Sequence, residues 1–147
     1  MVDKPFVTKV ITSAVIIKDS KALILKRGKD EFPFPGLWEI PGGKKELGED
    51  WETSLKREIK EETGLAVRAI MVINVFSYLI ETEDDIRDAT EINFLVKVTG
   101  GELKISKEHE EFAWVKEDEL DSFNVSVSTK KAIKEGFAFI QKEGWTL

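Results

Sequence analysis

The stretch GKKELGEDWETSLKREIKEETGL, residues 43–65, governs how the rest of the chain is read. Asp50 is a good N-cap for a helix of about Trp51–Glu62, and Thr63-Gly64 is a helix stop. With Glu58 set to zero on a helical wheel, Trp51, Leu55 and Ile59 fall at about 20°, 60° and 100° and make one apolar stripe. Glu62 falls at about 40°, inside that stripe, while Glu58 sits on its edge and Glu61 lies at about −60°. Carboxylates on the apolar side of a helix are costly if ionised and unpaired, and like charges three or four residues apart repel. Both costs vanish where divalent cations sit, and this spacing brings three carboxylates within reach of one ion or a small cluster. Taken alone, the triad is also what a solvated glutamate-rich helix face would show.

Composition narrows the chemistry. The chain has 147 residues, enough for one domain with a real core, and is 41% hydrophobic and 34% charged. There are no cysteines and one histidine, His109. Disulfides, thiolate zinc sites, cysteine nucleophiles and multi-histidine metal sites are therefore excluded. A metal here is expected to be hard and oxygen-ligated, magnesium or manganese before zinc. The net charge of −6 argues against a nucleic-acid polymer as partner, but leaves a small anionic substrate open. The apolar runs are too short to span a bilayer, and the first residues lack a basic-then-apolar leader. A cytoplasmic protein is expected.

Strand patterns dominate around the acidic helix. Val7–Ile17 and Lys21–Arg27 read as a β-hairpin turning at Asp19-Ser20, and Gly28–Gly36 as a loop. Leu37–Ile40 is a short strand running into a tight turn at Pro41-Gly42-Gly43. Leu65–Ile80 is one long strand or two short ones, Glu81–Glu91 an acidic connection, and Thr90–Thr99 and Phe112–Val115 further strands. A last amphipathic helix covers about Ser128–Lys142, capped by Ser126 or Ser128. The whole chain, 1–147, reads as one domain: an α/β (α+β) fold with a mixed sheet covered on both faces.

Residues 43–65 also satisfy, at every specified position, the pattern G-x5-E-x7-R-E-U-x-E-E-x-G-U, with U a bulky aliphatic. So long a match is far more specific than a short motif. On these residues, and on Trp38-Glu39-Ile40-Pro41-Gly42-Gly43 before them, the chain resembles the Nudix hydrolases, most closely their MutT-like branch. Trp114-Val115 with Glu119-Leu120 resembles the family's downstream strand and turn. The resemblance implies an α/β/α sandwich and hydrolysis of a diphosphate linkage in a nucleoside diphosphate derivative, with Mg²⁺ or Mn²⁺.

Carried over by position, Glu58 and Glu62 would be principal metal ligands, with Glu61 assisting and the Gly42 carbonyl completing the shell. The general base would be Glu58 or a later loop glutamate among Glu108, Glu110 and Glu111, of which Glu111 is favoured. Arg57 and Glu49 would be an internal ion pair, and Gly43 and Gly64 would serve backbone geometry. Arg27 and Lys44 flank the segment as phosphate contacts, although a plain surface charge explains either equally well. Phe34, Trp38 and Phe76 are base-stacking candidates or core, and no base pocket is assigned.

The WEIPGGK stretch points to nucleoside triphosphates, cut to monophosphate and pyrophosphate. Thr129, with Asn124 earlier, stands where an asparagine in MutT-like sanitation enzymes meets oxidised guanine, so that preference is not implied. All four prolines precede the end of the pattern, which speaks against an ADP-ribose enzyme. Tyr78, the sole tyrosine, comes early for a dinucleoside polyphosphate hydrolase. ADP-ribose, nucleotide sugars and dinucleoside polyphosphates remain the alternatives, with a non-catalytic nucleotide-sensing module as an alternative of another class. The resemblance further implies a homodimer.

Overall fold

The computed structural model describes residues 3–147. Its centre is strand β1 (Phe6–Lys18), whose Ala14–Ile17 run is buried on both faces, as expected for a strand with layers above and below. The chain reverses at Asp19-Ser20, both with positive φ (51° and 62°), as a two-residue hairpin turn demands. It returns as β2 (Lys21–Arg27), antiparallel to β1. On its other side β1 runs parallel to β6 (Ile86–Gly101), from Phe6 opposite Ile86 to Ile16 opposite Val96. β6 is antiparallel to β5 (Leu65–Glu81), which forms the edge. The sheet order is β3-β2-β1-β6-β5, with β3 at Trp38–Glu39; β4 (Gly42–Lys44) pairs with β1, and β7 (His109–Val115) with β2.

Alternate side chains of the central strands enter two cores. Ala14, Ile16, Leu23 and Leu25 meet Leu55 and Ile59 of helix α1 (Trp51–Thr63). Val15, Ile17, Ala22 and Ile24 meet Ala132, Ile133 and Phe137 of helix α2 (Val127–Glu143) on the other face. The chain therefore adopts the expected α/β/α arrangement around a mixed sheet. Each fully buried Leu or Ile contributes about 1.5–3 kcal/mol, and Leu55 and Ile59, both fully buried, fix how α1 is rotated. The helix starts on Asp50, which accepts from the Thr53 amide at 2.8 Å, and ends on left-handed Gly64. The Ser126 hydroxyl caps α2 through the Thr129 amide. No helix among the described residues is long and apolar enough to cross a membrane.

Several local expectations change. Pro41–Gly43 is not a free tight turn: Gly42-Gly43-Lys44 is a strand lying directly on β1, and a Cβ at Gly42 would collide with the backbone of Thr12 and Ser13. β6 starts at Ile86 instead of Thr90, because Phe6–Val10 supplies a parallel partner the local pattern does not reveal. β7 starts at His109, three residues early, for the same reason, paired to Arg27. A 3-10 helix at Glu117–Ser122 buries Leu120. Trp51, expected within the buried stripe, is 44% exposed, one face of its ring stacked on Phe94 at 4.9 Å and the rest open at the start of α1.

Candidate active site

The burial of Leu55 and Ile59 carries Glu62 inward with them. Its carboxyl is buried, and its Oε2 lacks a hydrogen-bond partner. Burial foremost, then the nearby Glu39, Glu108 and Glu58 charges, pushes its pKa up to about 9, against a weak opposing pull from the Gly42 amide. One of those neighbours, Glu39, comes from a short strand. Glu39 on β3 accepts from Arg27 Nη1 at 3.2 Å and bonds His109 Nε2 at 2.9 Å. With the Nε2 proton in that bond, the other ring nitrogen of His109, Nδ1, is buried without a partner and faces Glu62 Oε2 at 3.7 Å. Glu39, Glu62 and His109 thus each offer a ligand atom within 4.8 Å of the others.

Glu58, one turn back on α1, lies flat against Gly43, where a Cβ would overlap its carboxylate. It accepts from Arg57 Nη1 at 2.8 Å. Burial raises its pKa, and Arg57 opposes the rise. Arg57 itself clamps Glu49 with two bonds of 2.7 and 2.9 Å and donates to the Lys44 carbonyl at 3.1 Å, so one guanidinium ties the loop, β4 and α1 together. That clamp holds Glu49 down to about 2. Gly64, at φ 76°, approaches the Glu102 carbonyl so closely that no side chain fits.

These groups face a cleft of about 350 Å³. Glu39, Glu58, Glu62 and Glu108 line it, as do both expected phosphate contacts, Arg27 and Lys44, and the Gly42 and Gly43 backbone. The Lys44 ammonium is shifted down by burial and then by the charges of Arg87 and Lys9. At the deeper end Glu91 bonds Ser13 Oγ at 3.2 Å, and burial lifts it to about 7. Tyr78 stands beside it, burial lifting its hydroxyl to about 12. The exposed rings of Phe32 and Phe34 form a rim.

Two expected residues stand elsewhere. Glu111, favoured as the loop base, is 59% exposed and turned toward Lys26 Nζ at 3.6 Å, away from the cleft. The register slips between Lys26 and Arg27, so Glu110 has no opposite residue and strand alternation fails there. With that slip His109 is buried and Glu111 turned outward, while Glu108, just before the strand, lines the cleft. Glu61 is likewise 59% exposed, on the outer side of α1 against Arg57 Nη1 at 3.3 Å. Of the stacking candidates, Phe34 lines the cleft, Trp38 packs edge-on against Phe123, and Phe76 stacks on Tyr78. Thr129 is buried at the start of α2, its hydroxyl accepting from Ser126.

With this geometry in view, residues 8–135 match the NUDIX domain family. The chain belongs to that family. It is similar to the nucleoside triphosphatase NudI of Escherichia coli K12, 31% identical over 138 residues that cover 86% of this chain and 94% of that one. Among solved structures it resembles a MutT NUDIX hydrolase from Burkholderia pseudomallei, with TM-score 0.75 and 27% identity over 88% of this chain and 98% of that one. A MutT protein from Bacillus halodurans aligns with TM-score 0.69 and 30% identity, covering 86% and 80%. The chain is a Nudix pyrophosphohydrolase.

The Nudix pattern singles out Glu58 and Glu62 but not their cleft neighbours. Glu39 and His109 come together only through β2, which pairs with both of their strands. Glu91 left a faint trace, as a charge at the start of a strand that runs on into Ile92, Phe94 and Leu95. The donor set fits a divalent cation: clustered carboxylates plus two buried, partnerless acceptor atoms, Glu62 Oε2 and His109 Nδ1. The His109 nitrogen departs from the all-oxygen set expected from composition.

Proposed function

We propose that this Nudix enzyme cuts nucleoside triphosphates to monophosphate and pyrophosphate in a reaction that depends on Mg²⁺ or Mn²⁺. The observation that carries the reading is the carboxyl of Glu62, buried at the base of the cleft with one oxygen partnerless beside Glu58, Glu39 and Glu108. A carboxyl so placed is neutral or bound to a cation. The name and the 31% identity of the NudI relative support the triphosphate substrate.

Glu58 and Glu62, with the Gly42 carbonyl, would hold the ion, with Glu39 and His109 alongside and Glu61 at the outer edge. Bound there, a divalent ion would neutralise diphosphate oxygens and acidify the attacking water. Arg27 and Lys44 meet phosphate oxygens from the cleft wall. Glu108 replaces Glu111 as the loop carboxylate positioned to take the proton of the water, Glu58 being the alternative. Arg57 with Glu49, and the Gly43 and Gly64 backbone, hold these groups in place.

A second copy of the chain would pair along β5, the edge strand, where Val72, Val75 and Leu79 are exposed. Sedimentation equilibrium showing only monomer at high micromolar concentration would contradict such a dimer. The absence of cysteine fits a reducing, cytoplasmic setting.

The test is product analysis with each nucleoside triphosphate in Mg²⁺, in Mn²⁺ and in excess chelator. Monophosphate and pyrophosphate in equal amounts, lost on chelation, are expected. Stepwise release of single phosphates, or turnover indifferent to chelator, would overturn the reading.

A further inference from the structure

The cleft is electrically graded along β1 and β6. Its deeper end carries Ser13, Glu91 and Tyr78. Its outer end carries Lys9, Lys44 and Arg87, from three different strands. The register explains how they meet. Lys9 stands opposite Ala89, two residues from Arg87 on the same face, and two residues before Ile11, which stands opposite Lys44. Same-face diagonal neighbours lie about 7–8 Å apart, within reach of long side chains. The charges of Arg87 and Lys9 accordingly add to burial in lowering the Lys44 pKa.

Three cations crowded together repel, and one carboxylate, Asp85, faces all three and offsets this in part. Among the described residues neither Lys9 nor Lys44 has an ion-pair partner, and Arg87 is held only through Nε by Asp85 at 3.2 Å. The cluster therefore has unused donors facing a cleft whose opposite side is acidic. Lys9 and Arg87 also lie outside residues 43–65, in the paired segments Phe6–Val10 and Ile86–Thr90.

We propose that Lys9 and Arg87, set beside Lys44 by the parallel pairing of β1 and β6, form the subsite for the terminal phosphates of a nucleoside triphosphate, beyond the bond that is cut. This rests on the triphosphatase reading above and deepens it: the subsite makes the enzyme prefer triphosphates to diphosphates. The scissile linkage lies by Glu58 and Glu62, the nucleoside points toward Ser13, Glu91 and Tyr78, and the leaving pyrophosphate is met by cations. Lysine supplies point charges and arginine a planar fork, both suited to phosphate oxygens.

The test compares Lys9→Ala, Arg87→Ala and the double variant with the wild type and with Lys131→Ala, which removes one charge from an exposed position on α2. Calorimetric titration with an α,β-methylene nucleoside triphosphate and its diphosphate counterpart, in Mg²⁺, reads affinity whether or not the protein turns over. The double variant is expected to weaken triphosphate binding at least ten-fold and diphosphate binding less than three-fold, with Lys131→Ala matching wild type. In turnover the same loss should fall on KM, with kcat within about two-fold, and Lys9→Arg with Arg87→Lys should restore most of it. Equal losses for both ligands, or no loss, would overturn the subsite. Normal discrimination in binding without hydrolysis would instead overturn the triphosphatase reading and leave the subsite standing.

Discussion

Glu62 is the residue on which the site turns. Its folded-state pKa of about 9, against 4.5 for an unperturbed glutamate, means that between those values the folded protein holds a proton the unfolded chain has lost. Without metal, stability should therefore be greatest below about pH 4.5 as far as this group is concerned, and fall as pH rises toward 9. Glu91, lifted to about 7, adds a second fall over a narrower window. The slope contributed by each group is at most about 1.4 kcal/mol per pH unit. Thermal unfolding in chelator from pH 5 to 9 should show a declining Tm, with Glu62→Gln flattening most of the decline. A Glu62→Gln profile parallel to wild type would contradict the burial argument. A divalent cation held by Glu62, as proposed, would have to displace the same proton, so its stabilising effect should grow across that pH range.

The second residue-scale expectation separates two glutamates three positions apart. Glu108→Gln should lower kcat by about 10²-fold or more if it takes the proton of water, while Glu111→Gln, on the outer face against Lys26, should stay within about two-fold. A loss confined to Glu111→Gln would restore the reading that sequence spacing favoured. The structure favours Glu108 because a bulge, which has no signature in Glu108-His109-Glu110-Glu111, turns Glu111 toward Lys26.

At the scale of elements, β4 and α1 are registered by two adjacent glycines that do different things. A Cβ at Gly42 meets the backbone of β1, which cannot retreat, whereas a Cβ at Gly43 first meets the movable end of Glu58. Gly42→Ala should therefore lower Tm strongly, a loss of about 2 kcal/mol or more. Gly43→Ala should keep a near-native Tm and lose turnover through displacement of Glu58. Calorimetry and kinetics on the pair check this, and the reverse pattern would refute it. Arg57→Lys is expected to behave like Gly43→Ala, since lysine cannot reproduce the two-bond clamp on Glu49 while also reaching the Lys44 carbonyl. The sequence made α1 legible almost to the residue, with its cap, its stop and Glu62 on the buried face, because those signals are local. It left β4 illegible, because a strand of Gly-Gly-Lys is defined by what it lies against. The same holds for the early start of β6, whose partner lies some eighty residues away in the chain.

For the molecule as a whole, composition and pattern were enough to indicate a mixed sheet between two helical layers, since Ala14–Ile17 and Ala22–Ile24 are apolar on both faces and two amphipathic helices are present to cover them. The cleft was legible only where the 43–65 segment supplies it. Glu39, His109, Glu91, Lys9 and Arg87 arrive from four separate strands, and only the β1–β6, β2–β3 and β2–β7 pairings assemble them. The central claim is that the buried, partnerless carboxyl of Glu62 makes this cleft a metal-dependent pyrophosphohydrolase site. Its most direct test is the Glu62→Gln protein, isosteric and without the charge, assayed on a nucleoside triphosphate at saturating Mg²⁺ after its fold is verified by circular dichroism. A fall in kcat/KM of about 100-fold or more with native secondary structure is expected; turnover within a few-fold of wild type would contradict the account.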